Sequence, residues 1–334
     1  MPERSPSHQG ASQAPGSEYF PDSDFLESPS MATELTEIAD GDVRAAAQLA
    51  ELDPEHITTE DVVKKRLGPT FWVAAAWFGL VALLALLAPV LPLQDYKKTT
   101  SCVRCPPSAE HWFGTDTLGR DIFSRIVWGG RVSLVVGIAA VLLGLVIGGC
   151  IGIIAGYFKG RLEGFLMGAM DVMLAFPALL LALAIITFRN DRSLFNVVLA
   201  IGIVAIPPIA RLIRASTLVF SQREFVTAAR ALGASNLRII TKEILPNVVL
   251  PVLSFSIIGV AVAIVAEGGL AFLGLSVAPP TPTWGGMIND GRSALETEPY
   301  ISLIPCLIMF LTVLSLNLAG DRVREYFDVR EGVL

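Results

Sequence analysis

Six stretches of the chain are long, apolar and nearly free of charge. They fall at about 71–93, 132–158, 164–188, 195–219, 247–272 and 300–320. Each approaches or exceeds the roughly 20 apolar residues that a helix needs to cross a bilayer. The pattern predicts an all-α, polytopic membrane protein with six transmembrane helices. Pro177, Pro207, Pro208 and Pro251 lie inside these runs. Neighbouring helices can re-satisfy the backbone groups that proline frees, so the prolines do not veto the spans. Within the second run Gly144, Gly148, Gly152 and Gly156 recur every four residues. That stripe predicts a close helix–helix approach.

Composition agrees with the pattern. Apolar residues make up 53% of the 334 and charged residues 17%, with a mean hydropathy of +0.60. Soluble domains carry about 25% charged residues. The acidity is confined to one end: residues 1–69 hold 14 Asp/Glu against 5 Lys/Arg, whereas the rest is mildly basic. Residues 1–30 are rich in Ser, Pro and acid, and read as disordered. Short helices are expected within 32–66. The chain therefore divides into an acidic tail, 1–69, and a six-helix body, 70–334. No basic stripe points to nucleic acid. With the N-terminus inside, the inner segments and their flanks carry 16 Lys/Arg and the outer ones 9. This bias predicts both termini in the cytoplasm.

The loop SQREFVTAARALGASNLRIITKEILPN (221–247) is the most informative stretch. Ser221 and Glu224 have the spacing of a capping box. Phe225, Ala228, Ala229 and Leu232 fall on one helical face. Gly233 stands where a left-handed residue would end that helix. Ser235 can cap a second helix, which Pro246 would close. A helix–glycine–helix element with a small apolar face suits docking into a partner's groove or lying amphipathically at a membrane surface.

TAARALG followed by EILPN resembles the EAA loop of bacterial ATP-binding-cassette importer permeases. Ala228, Ala229, Gly233, Leu245 and Pro246 match it. Thr227 stands where the family usually has Glu, with Glu224 one turn earlier. HWFGTDTLGRDIFSRIVWGGRVSL (111–134), DVMLAFPALLLAL (171–183), AEGGLAFLGLSVAPPTPTWGGMI (266–288) and NLAGDRVREYFDVR (317–330) resemble the dipeptide, oligopeptide and nickel branch. The resemblance covers about 70–330. It implies a permease of the bacterial cytoplasmic membrane, coupled to ATPases through helix 222–245 and moving di- or oligopeptides. It also implies a second homologous permease chain, two ATP-binding-cassette ATPase domains and an extracytoplasmic substrate-binding protein as partners, with membrane lipid around the spanning helices. A nickel, metal-chelate or haem permease of the same family is the alternative. An ATP-independent secondary transporter is a more remote one, since such proteins often show internal repeats.

Residue types bound the chemistry further. No phosphate-cradling G-x-x-x-x-G-K-[ST] occurs, so ATP and Mg2+ are expected on partner ATPases, and no cofactor, metal site or catalytic residue is expected here. His8, His56 and His111 lie outside the apolar runs. In the outer loop, Asp116 is a candidate helix cap. Asp121 and Arg125 are spaced as an i, i+4 ion pair, with Arg120 beside them. Leu118, Ile122 and Ile126 suggest an amphipathic outer helix. Cys102 and Cys105 face an oxidising side, where a local disulfide is expected. Charges inside apolar runs are costly and functional candidates by default. Asp171 and Glu267 are therefore read either as lining the translocation path or a subunit interface, or as structural groups. The Gly-Gly after Glu267 suggests a helix end there.

Overall fold

The computed structural model describes residues 68–189 and 191–331. Residues 1–67, which hold nearly all of the acidic tail, the helices expected within 32–66, His8 and His56, lie outside the described residues. Nine helices longer than a single turn lie among the described residues. They are α1 (Pro69–Leu87), α2 (Ile122–Phe158), α3 (Gly160–Ala175), α4 (Ala178–Arg189), α5 (Leu194–Phe220), α6 (Glu224–Ala231), α7 (Asn236–Phe272), α8 (Trp284–Asp290) and α9 (Tyr300–Glu331). Five of them (α1, α2, α5, α7 and α9) are long and apolar enough to cross a membrane, and the bent pair α3–α4 makes a sixth candidate. Large apolar side chains such as Trp72, Leu86, Val146 and Phe310 stand exposed along these helices. A helix apolar on all sides is what a lipid environment selects.

The helices form by the expected rules and depart from the apolar runs where tertiary contacts intervene. The first run reaches Leu93, yet α1 stops at Leu87, ahead of Pro89 and Pro92. The second run begins at 132, but α2 starts ten residues earlier. Asp121 caps it, its side chain accepting from Ser124 N at 2.7 Å. With 37 residues, α2 is about 55 Å long at 1.5 Å per residue. That exceeds a hydrocarbon core of about 30 Å. The third run is not one helix. Phe176 adopts ψ 133° before Pro177, as the residue before proline prefers, and α3 meets α4 at 87°.

The centre of the bundle is the contact between α2 and α5, where the glycine stripe does the predicted work. A Cβ added at Gly148 would stand 2.7 Å from Ile206 O. One at Gly152 would stand 2.5 Å from Ala210 O, and one at Gly156 2.7 Å from Thr217 Cβ. The backbones therefore approach at a distance that only glycine permits. One apolar core joins Val136, Ala140 and Val141 of α2 to Val197, Ala200 and Ile201 of α5, Ala182 and Ile186 of α4, and Leu270 of α7. α9 and α1 pack against the other flank of α7 and α2, through Leu316, Ala261, Ile264 and Val81.

Candidate functional site

Functional side chains gather at the two ends of α2 and at one buried point between them. Beyond its C-terminal end lie α6, Gly233 and the start of α7. Ser221 does not cap α6. It ends α5 instead, its hydroxyl donating to Leu218 O at 3.0 Å, and the N-cap of α6 is Arg223, which makes no side-chain cap bond. The expected capping box is lost because α5 runs on to residue 220 and consumes Ser221 at its own terminus. Gly233, at φ +80°, closes α6 as expected. Ala234 N donates to Ala229 O and Gly233 N to Arg230 O, both at 3.0 Å, the paired bonds of a Schellman end. Ser235 caps α7, accepting from Arg238 N at 3.4 Å.

Pro246 does not close this second helix. Residues Ile239–Ile244 form a π-helical stretch, and Pro246 sits at the start of the α-helix that continues to Phe272. Pro246 falls where the ladder passes from π-helical to α-helical spacing, and α7 runs on through it. Phe225, Ala228 and Leu232 share one face of α6, with Ala229 at its inner edge. Val226, absent from that set, is the buried anchor; with Ile239, Ile244, Val248 and Ile213 it forms a core that Ala229 packs against. Phe225, Ala228 and Leu232 turn outward, Leu232 with 89% of its surface exposed. Glu224 and Pro246 are exposed too, and Leu245 is 38% exposed. The element is thus held from beneath and bare on top.

The other end of α2 carries a charged cluster. Asp116 does not cap a helix. Residues 111–121 form a loop, and Asp116 Oδ1 accepts from Leu118 N and Arg120 N, each at 2.9 Å. Its other oxygen accepts from Arg120 Nε at 2.7 Å and lies 3.4 Å from Arg125 Nε, which lacks the alignment of a hydrogen bond. Asp121 and Arg125 do not pair through their side chains. Asp121, as the cap of α2, bonds Ser124 N and sits 3.0 Å from Nδ1 of buried His111. Arg125 turns instead towards Asp116 and, at 3.7 Å, Asp290 of α8. Asp290 also lies 3.4 Å from Arg120. Burial pushes its carboxyl above the ordinary value, opposed by the positive Arg125 and Arg120. Of the expected amphipathic stripe, Ile122 and Ile126 are buried, but Leu118 is exposed in the loop.

Cys102 and Cys105 are joined by a disulfide, with Cα atoms 5.6 Å apart. Thr115 fixes the turn that they close: its hydroxyl donates to Cys102 O at 2.7 Å and accepts from Cys105 N at 2.8 Å. Tyr300 Oη, at the start of α9, donates to Arg104 O at 2.8 Å.

Glu267 is fully buried and does not mark a helix end, since α7 continues to Phe272. Ser133 of α2 donates to one oxygen at 3.3 Å and Ser276, in the loop after α7, to the other. Ser133 in turn accepts from Trp284 N at 3.2 Å. Glu267 therefore ties α2, α7 and α8. Asp171 is exposed on α3 and bonds Arg211 of α5; one turn away Arg214 donates through Nε to Glu163 at 2.6 Å. Between these levels a cavity of about 550 Å³ is lined almost wholly by apolar groups, among them Met173, Phe176, Pro207, Pro208 and Phe255. Sequence reasoning missed Asp290, Tyr157 and Asn236. Each bonds or pairs with a residue more than 75 positions away, and no local pattern marks such pairing.

These features define a multi-pass α-helical membrane protein with a bare helix–glycine–helix element at one end of its central rod. A family model described as "Binding-protein-dependent transport system inner membrane component" matches residues 148–332, and the chain belongs to that family. The glutathione transport system permease protein GsiD of Pectobacterium atrosepticum is 43% identical over 222 residues, covering 66% of this chain and 73% of that protein. The dipeptide transport system permease protein DppC of Alkalihalophilus pseudofirmus is 42% identical over 247 residues, covering 74% and 81%. An inward-facing structure of the MetNI methionine ABC transporter aligns with 60% of this chain and 96% of its own at TM-score 0.51. Its identity of 19% makes that a likeness of fold.

Proposed function

We propose that the chain is one membrane-spanning subunit of an ATP-driven importer of di- or oligopeptides. The carrying observation is the element 224–245: broken at a left-handed glycine, with Ser235 capping its second helix, anchored by Val226 and bare at Phe225, Ala228 and Leu232. A rigid, exposed apolar face of this size is suited to a groove on a partner protein. The partner it would fit is an ATPase, with ATP and Mg2+ held there and hydrolysis carried out there. Glu224, Phe225, Ala228, Ala229, Gly233, Leu245 and Pro246 would form or shape the contact. A second, homologous permease would complete the path, and an extracytoplasmic binding protein would deliver peptide to the end that carries Asp116, Arg120, Asp121 and Arg125. Both chain termini would lie in the cytoplasm, on the ATPase side.

Energy transfer requires that the ATPases hold the element differently in their two states. Closure of the ATPases would pull it, and the two permeases would rock to open the path to one side and then the other. Asp171 and Glu267 have structural roles in this reading, since each is bonded across helices. The relatives named for glutathione and dipeptides speak for peptide over nickel, a metal chelate or haem. The test is purification of the tagged chain in detergent from cells that express its operon partners, then reconstitution. ATPase should co-purify, and uptake of a labelled dipeptide should require ATP. Uptake by the chain without ATPase, driven by an ion gradient, would overturn the reading.

A further inference from the structure

Three long helices must respond when the element 224–245 moves, and they are attached to it in different ways. α5 enters it through residues 221–223 and α7 leaves it as a continuous helix. α2 has no covalent link to it. Within α7, near its start, the stretch Ile239–Ile244 is π-helical, and π-helical turns are rare, irregular insertions concentrated at functional positions. α2 is gripped instead by side chains. Tyr157, in its last turn, donates its hydroxyl to Oδ1 of Asn236, the first residue of α7, at 2.8 Å. The guanidinium of Arg230, in the last turn of α6, lies 5.9 Å from the centre of the same ring, within cation–π range. The ring also packs on the Val226–Ile239–Ile244 core. One tyrosine therefore touches both helices that flank Gly233.

We propose that Tyr157 is the positioning residue that makes α2 follow the 224–245 element, so that this rod carries its displacement to the opposite end of the bundle. What lies above Tyr157 suits that task. Gly148, Gly152 and Gly156 set α2 at close distance along the backbone of α5, a smooth seam without interlocking side chains on the α2 side. Some 35 residues further up, the same helix begins at Asp121 and Arg125, in the charged cluster with Asp116 and Asp290. A pull on the element reaches that cluster along a single uninterrupted helix. Along α7 it must first pass a π-helical joint. This proposal rests on the coupling role assigned above to 224–245.

The test uses the complete importer in proteoliposomes and measures ATP hydrolysis and peptide uptake together. Tyr157→Phe keeps the ring and its stacking and removes the hydroxyl. Asn236→Ala removes the acceptor, whereas Asn236→Asp retains one. The loss of one hydrogen bond predicts about fivefold less peptide moved per ATP in Y157F and in N236A. The double variant should be no worse than either single one, because both remove the same interaction. N236D should restore the ratio towards that of the unaltered protein. A normal ratio in Y157F or N236A, or additive losses in the double variant, would overturn the proposal. Should Y157F fail to insert, the contrast between N236A and N236D decides alone, equal ratios counting against it. Failure of the coupling reading looks different, as the unaltered chain would then retain no ATPase on purification.

Discussion

Replacing Gly152 by alanine adds a single methyl group at the closest point of the α2–α5 contact. Its Cβ would stand 2.5 Å from Ala210 O, 2.9 Å from Ile213 Cβ and 3.0 Å from Arg214 N. Two of these are backbone atoms of α5, which cannot swing aside as a side-chain tip can. Relief to an ordinary contact of 3.4 Å requires the helices to part by nearly an ångström. Such overpacking costs about 1–3 kcal/mol. Gly149→Ala is the matched control, since its Cβ would meet Ile213 Cδ1 at 3.5 Å, an ordinary contact with a flexible end. Both substitutions gain the same intrinsic helix preference of alanine, about 1 kcal/mol, so the difference between them isolates the clash. We expect the G152A variant to unfold about 5 °C below G149A in detergent, from the dependence of the midpoint on free energy for chains of this size. Thermal scanning fluorescence of both purified proteins measures it. Equal midpoints would refute the claim that glycine is needed for the approach of α2 to α5.

Gly233→Val places a β-branched residue at φ +80°, where it is a true outlier; open space around the Cβ makes this a backbone effect. Membrane levels should hold and peptide uptake should fall at least tenfold, and unaltered uptake with normal ATPase stimulation would count against docking by this element. Asp116→Asn leaves Arg120 and Arg125, both buried, facing a neutral amide, and should destabilise the protein by about 3–5 kcal/mol; normal yield and melting would show the cluster to be dispensable. Mass spectrometry of unreduced protein should find the Cys102–Cys105 peptide lighter by two hydrogens, and free thiols at both positions would contradict the bond. Truncation to Met31 should preserve uptake, because residues 1–30 are too polar to build a core; lost uptake with normal insertion would reveal a function for the tail.

The parts of this structure that repeat along the sequence were legible in it. The apolar runs announced the crossings, the four-residue glycine period announced the α2–α5 seam, and Gly233 announced the break between α6 and α7. What was illegible depended on choices among equivalent local signals. Pro177 breaks its run, whereas Pro207, Pro208, Pro251 and Pro305 sit inside continuous helices. A large apolar residue precedes Pro177, Pro207, Pro251 and Pro305 alike, and the packing around each decides. Asp116 and Asp121 are both good caps by type. The choice of Asp121 follows from Arg120 and Arg125 claiming Asp116, and from His111 steadying Asp121. Ser221 was misread because the end of α5 and the start of α6 compete for one hydroxyl. Asp290 joined the charged cluster from 170 residues away, beyond the reach of any local spacing rule.

The break at Phe176–Pro177 limits what can lie beside it. Over this corner proline brings no N–H and the chain turns through 87°, so Met173 O accepts from Phe176 N in a tightened turn and the carbonyls after it lack the donors that a continuous helix would supply. Hydrocarbon offers such oxygens nothing to accept, and each would cost several kcal/mol there. Met173, Leu174, Phe176 and Ala178, which make the corner, also line the cavity against α5 and α7. That side of the bundle must therefore meet water or another protein surface. The acyl chains of the bilayer are left to the opposite flank, where α1 and α9 run without a break in the helix and expose apolar side chains such as Trp72, Leu86 and Phe310.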